Sequence, residues 1–113
     1  MTNALLRVTI YYAIRNKKMS DPALPVLASL ADGDKHGYAM MEDIEQMSGT
    51  RLGPGTLYGA LARLERRGLI EPLPAEERRR PYRITGLGAS VLREQLRSLE
   101  AFAATGLGRL ATL

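Results

Sequence analysis

The sequence predicts a mainly α chain with one small β-hairpin, and three observations carry that expectation. Apolar residues recur at three- and four-residue steps in four stretches, and two short runs of β-forming residues flank a polar tip. The length, 113 residues, suffices for one modest core but not for two. One small module is expected, open to completion by a partner chain.

The opening "MTNALLRVTIYYAIRNKK" has a β-branched and aromatic cluster with neither a helical period nor a turn signal. It is either an extra strand or helix that packs on a partner, or an extension upstream of a true start at Met19. The second reading is preferred, and residues 1–20 are set apart as an N-terminal extension. Next, Ser20 or Asp21 caps a helix with Pro22 in its first turn, and Leu24, Leu27, Ala28 and Leu30 or Ala31 fall at helical spacing. "ADGDKHG" breaks it, with Asp32 and Asp34 as helix-end residues. A second helix runs from Gly37 to Met47 with Tyr38, Met41, Ile44 and Met47 on its apolar face, and Ser48-Gly49 ends it. Its acidic residues, Glu42, Asp43 and Glu45, face solvent or neighbouring arginines.

The third helix begins near Pro54, a good first helical residue, and stops at Gly68. "LIEPL" and "PYRIT" read as two short strands joined by "PAEERRR", with Pro72 and Pro81 at edge positions or strand ends. Residues 87–104 form a last helix with Val91, Leu92, Leu96, Leu99, Phe102 and Ala103 on one face, and the tail "ATGLGRLATL" is expected to fray. Three helices, a hairpin and a helix are the order of a winged helix-turn-helix, whose third helix is the candidate reader of DNA. Residues 21–86 would be the DNA-binding domain, and 87–113 a C-terminal dimerisation helix and tail.

Charge is informative by location. The sequence pI is about 9.8, yet the first twenty residues carry four positive charges and no negative ones, so the remainder is neutral. The useful excess lies in residues 51–84, with eight positive charges against four negative. There is no cysteine, hence no disulfide, thiolate nucleophile or Cys-type zinc site. The run "VTIYYAI" is far shorter than the roughly 20 residues of a membrane span, so no membrane partner is expected and a cytoplasmic location follows. An enzyme is not expected. His36 is the lone histidine and stands in a turn beside Lys35, no second histidine or carboxylate pattern makes a metal site, and "GPGTLYG" lacks the lysine of a P-loop. No cofactor is expected.

The stretch "RLGPGTLYGALARLERRGLIE" poses the sharpest question, because it opens on bare backbone and carries Gly59 inside a helix. At 100° per residue Leu57, Leu61 and Leu64 face the core, while Gly55, Gly59, Ala62 and Arg66 cluster opposite, with Tyr58 and Arg63 at the margins. A mid-helix glycine costs about 0.5–1 kcal/mol against alanine, so a use is called for. Either the bare face admits another surface, or Gly59 lets the helix pack tightly on the second helix. Amides of Gly55, Thr56 and Leu57 at the positive helix end make a ready phosphate site, to which Thr56 and Tyr58 add hydroxyls and Arg51 a charge. In "EERRRPYR", Arg78, Arg79, Arg80 and Arg83 surround a hairpin tip from which they can reach phosphates or a minor groove, though Glu76 and Glu77 partly cancel them. "HGY" starts the second helix. His36 reads best as a capping or turn residue, and Tyr38 as either a half-buried core residue or a backbone contact.

Taken together, "LPVLASLADGDKHGYAMMEDIEQ", "LGPGTLYGALARLERRGLIE" and "RRRPYRITGLG" resemble the PadR-type transcriptional regulators, over roughly Leu24 to Leu92. The resemblance implies a homodimeric winged-helix protein, usually a repressor on a palindromic operator, with a C-terminal helix that dimerises. It carries DNA contacts over to Tyr38, Pro54, Gly55, Thr56, Tyr58 and the wing arginines. Some short members hold planar aromatic drugs between tryptophans at the dimer interface. This sequence has no Trp and offers only Phe102 on its last helix, so it departs from them there.

The expected function is a sequence-specific transcriptional regulator. Its partners would be double-stranded DNA, a second copy and a small-molecule effector, unidentified, at the dimer interface. The DNA-binding set is Tyr38, Arg51, Pro54, Gly55, Thr56, Tyr58, Gly59, Arg63, Arg66, Arg78, Arg79 and Arg80, and the dimer set is Leu92, Leu96, Leu99 and Phe102. The competing reading is a winged helix used for protein interaction without DNA.

Overall fold

The computed structural model describes residues 22–113. The N-terminal extension, and the capping role expected of Ser20 or Asp21, lie outside the described residues. The element order is α1 (Ala23–Ala31), β1 (Lys35–His36), α2 (Gly37–Ser48), α3 (Pro54–Arg66), β2 (Ile70–Pro72), β3 (Pro81–Ile84) and α4 (Gly86–Leu110).

α1 is the centre of the module. α2, α3, α4 and β3 all pack on it, so it buries Leu24, Pro25, Val26, Leu27, Ser29 and Leu30 rather than a single stripe. Ala31, expected on the apolar face, is exposed at the helix end. Leu27, Leu30, Leu57, Leu61 and Leu64 are almost wholly buried, each stabilising the fold by about 1.5–3 kcal/mol relative to an exposed leucine. The Ser29 hydroxyl donates to Asp43 at 2.7 Å, and Lys35 Nζ donates to the Ser29 carbonyl at 2.6 Å. The first bond ties α1 to α2 and satisfies a polar side chain that would otherwise be stranded in the core, and the second ties α1 to β1.

In α2 the buried stripe is Met40, Met41, Ile44 and Ser48. Tyr38 is not on it: the tyrosine lies about 60° round the helix from Met41 and is 53 % exposed. Gly49 closes the helix at φ 76°, in the left-handed conformation glycine adopts without a steric cost. α3 buries Leu57, Ala60, Leu61 and Leu64, and Gly68, at φ 74°, turns the chain toward β2.

The sheet has three antiparallel strands in the order β1-β3-β2, where the sequence shows only a hairpin. β1 is two residues long, too short for any alternation to appear. Pro81 is the first residue of the central strand and pairs with His36, and Pro72 ends the edge strand opposite Tyr82. Both prolines thus sit at strand ends, where a missing amide is tolerated.

The last helix corrects the expectation of a frayed tail, for α4 continues to Leu110. Alanine, leucine and arginine favour helix, no proline interrupts it, and Gly106 and Gly108 weaken it without breaking it. Thr85 caps its start by accepting from the Gly88 amide at 3.0 Å. Gly88 is buried there, and a Cβ on it would collide with the Leu69 carbonyl and the Ile84 side chain.

Candidate nucleic-acid interface

α3 begins without a side-chain cap, with Gly53 at the N-cap and Pro54 at the first turn. Pro54 has no amide hydrogen, and the Leu57 amide is already bonded to the Gly53 carbonyl at 3.0 Å. Leu57 therefore does not belong among the free donors. Gly55 and Thr56 supply the open amides at the positive end of the helix.

Among the described residues, most of the outer face of α3 is left open to solvent. Pro54, Gly55, Thr56, Tyr58, Ala62 and Arg66 are exposed, and Gly59 and Arg63 are half-buried. A Cβ built on Gly59 would meet only Arg63 Nη1, at 3.4 Å. Tight packing of Gly59 on the second helix is thereby ruled out. Gly37 is the glycine that packs: a Cβ there would lie 2.5 Å from the Tyr58 hydroxyl. Sequence reasoning passed over that pairing because the two residues belong to different helices.

Beside this face, the Arg51 guanidinium lies 6.0 Å from the centre of the Tyr38 ring and pairs with Glu45 at 3.3 Å. Both of the expected outlying contacts, Tyr38 and Arg51, are therefore neighbours at one edge. The β2–β3 wing is pinched by reciprocal backbone bonds between Glu76 and Arg79, at 2.7 and 2.9 Å. Glu77, at the tip, takes φ 57°, a conformation costing a non-glycine residue about 1 kcal/mol or more.

The wing arginines divide. Arg83 is held by Asp34 at 3.4 Å and Glu71 at 3.8 Å, so it laces the strands together rather than reaching out. Arg80 donates to the Leu73 carbonyl at 3.0 Å, Arg78 is exposed, and Arg79 Nη1 stands 3.3 Å from His36 Nε2. His36 is the N-cap of α2, accepting from the Ala39 amide at 3.4 Å, as its turn position suggests. Arg78, Arg79, Arg80, Tyr38, Tyr58 and His36 line one recess of about 400 Å³ between wing and reading helix. Tyr82, also on its wall, has its phenol pKa pushed up by burial and, secondarily, by the Glu65 carboxylate; it stays a neutral donor.

Of the expected dimer residues, Leu92 is buried in the chain's own core and Leu96 and Leu99 pack against that core from half-buried positions. Phe102 is 75 % exposed. A groove of about 560 Å³ runs between α1, α3 and α4, walled by Leu24, Leu27, Leu64, Leu69, Val91 and Leu99. Among the described residues no helix is long and apolar enough to cross a membrane, and no group of three or more histidines and carboxylates could hold a metal ion.

Residues 26–94 match the family model described as the transcriptional regulator PadR-like family. A 37.1 kDa protein in a transposon of Streptomyces fradiae is 49 % identical over 82 residues, covering 73 % of this chain but only 24 % of that protein. The transcriptional regulator Rv3488 of Mycobacterium tuberculosis is 40 % identical over 91 residues, covering 75 % of this chain and 81 % of the relative. The solved structure of a transcriptional regulator from Clostridium thermocellum superposes with a TM-score of 0.70 at 28 % identity, covering 80 % of this chain and 94 % of that one. With the family model spanning more than half its length, the chain belongs to the PadR-like family of transcriptional regulators, which are not enzymes.

Proposed function

We propose that the protein is a sequence-specific DNA-binding repressor that occupies a palindromic operator as a homodimer in the cytoplasm. The observation that carries this reading is the uncovered outer face of α3, bare at Gly55 and Gly59 and rimmed by Thr56, Tyr58, Arg63 and Arg66. Small residues in the middle let bases approach the helix, and donors at the rim suit phosphates and acceptor edges. Residues 21–86 act as the reading domain, with the start of α3 in the major groove. Arg78, Arg79 and Arg80 on the wing grip the flanking backbone, with Tyr38 in the recess beside them and Arg51 next to Tyr38.

Residues 87–113 supply the dimer contact. Two copies joined through α4 would set their reading helices one DNA turn apart, roughly 34–36 Å. Such a partner helix would also roof the groove between α1, α3 and α4, where an effector could alter the spacing. Repression follows from occupancy alone, since a protein seated on a promoter excludes other proteins.

The test is titration against the duplex immediately upstream of the protein's own gene, at two salt concentrations, with a scrambled duplex alongside. Binding that prefers the native sequence and weakens by about 0.9 log units per phosphate contact for each log unit of salt is expected. Absence of binding at low salt would replace this reading with a protein-interaction module.

A further inference from the structure

His36 makes two contacts that a neutral imidazole cannot satisfy together. Its Nδ1 accepts from the Ala39 amide, which leaves Nδ1 bare and puts the ring proton on Nε2. Nε2 lies 3.3 Å from Arg79 Nη1, an atom that only donates. In the capping tautomer two N–H donors therefore face each other at the root of the wing. The opposite tautomer gives up the cap, and the imidazolium satisfies neither contact.

The surroundings do not resolve the conflict. Around the pair the recess is walled by Tyr38, Tyr58, Tyr82, Arg78 and Arg80, and no carboxylate of the described residues lines it. Asp34 is turned to Arg83, and Lys35 reaches back to the Ser29 carbonyl. Two donors side by side, ringed by hydroxyls and guanidinium groups, are complementary to a single oxyanion.

The geometry points to a phosphate seat in this recess, where His36 Nε2–H and the Arg79 guanidinium donate together to one phosphate group, a phosphodiester of the DNA backbone. The source of the phosphate rests on the DNA-binding reading above; the chemistry of the seat does not. With the phosphate in place the His36 tautomer that caps α2 is also the one that binds, so the start of α2, the wing and the DNA backbone lock through one ring. His36 is thus a binding residue and more than a cap.

Because the chain has one histidine, its imidazole nitrogens can be followed alone by 15N NMR in the full protein. The ring is expected to show Nε2–H in a new hydrogen bond when duplex is added, and to shift in the same direction with inorganic phosphate but not with chloride at equal ionic strength. His36→Asn keeps an oxygen that caps α2 and loses the Nε2 donor. Its melting curve should match the wild type while its duplex affinity falls about tenfold, equally for native and scrambled sequences, because phosphate contacts carry no sequence information.

A wild-type protein that binds duplex with its ring signals unmoved, or a His36→Asn protein that binds as tightly, overturns the seat on DNA and leaves the DNA-binding reading intact. A ring that answers inorganic phosphate but not bound duplex assigns the seat to a free phosphate instead. Should the wild type bind no duplex at low salt, the DNA-binding reading falls, and the phosphate titration alone decides: a shift retains the seat, and none removes it.

Discussion

Gly59 stands in the interior of α3 with no other described element above it. Within the described chain an alanine there is favoured, because it adds helix propensity and meets only the end of the Arg63 side chain, at 3.4 Å. Gly59→Ala should therefore raise stability by about 0.5–1 kcal/mol, read as a higher melting temperature. The same methyl would stand between α3 and a base edge, so duplex affinity should fall. Gain in one and loss in the other would identify the bare face as a contact surface; unchanged affinity would show that the glycine serves no DNA contact. That this face is rich in glycine and poor in side chains was legible from helical periodicity. Why was not, since the choice between packing and approach depends on what lies opposite. Gly37 under the Tyr58 hydroxyl and Gly88 under the Leu69 carbonyl were invisible for the same reason: each partner comes from another part of the chain.

At the scale of elements, the boundaries encoded in local chemistry emerged from the sequence. Pro54 opens α3, Gly49 and Gly68 take positive φ after α2 and α3, and Thr85 precedes α4. What local chemistry does not encode was missed: β1 exists because Lys35 and His36 pair with β3, and α4 outlasts the expected fray. Thr85 joins two elements at once. Its hydroxyl donates to the Gly68 carbonyl at 2.7 Å while accepting from the Gly88 amide, fastening the end of α3 to the start of α4. Thr85→Ala should cost about 1–2 kcal/mol, a fall of several degrees in melting temperature, and Thr85→Ser should recover most of it. An alanine variant that melts like the wild type would mean that this double bond does not secure α4.

Over the whole molecule, the described residues extend 56 × 25 × 25 Å with a radius of gyration of 14.8 Å, against about 13 Å for a compact 100-residue domain. The excess length is suited to α4, whose 25 residues span about 37 Å. Along it Leu92, Leu96, Leu99, Ala103, Leu107 and Leu110 lie within about 80° of one another. The first three pack on the chain's own core; Leu107 and Leu110 are 51 % and 62 % exposed. One apolar stripe thus begins inside the protomer and runs on uncovered, as a helix would if a second copy completed it. This placement decides where dimerisation can be probed. Charges at Leu96 or Leu99 would injure the protomer itself, whereas glutamates at Phe102, Leu107 and Leu110 act only on exposed positions. The triple variant should keep its helical content, sediment as a monomer, and lose about 100-fold or more in affinity for a two-half-site duplex, because the second half-site no longer binds intramolecularly. Its affinity for a single half-site should stay near that of the wild type. An intact dimer with undiminished binding to the full site would move the interface away from the free end of α4.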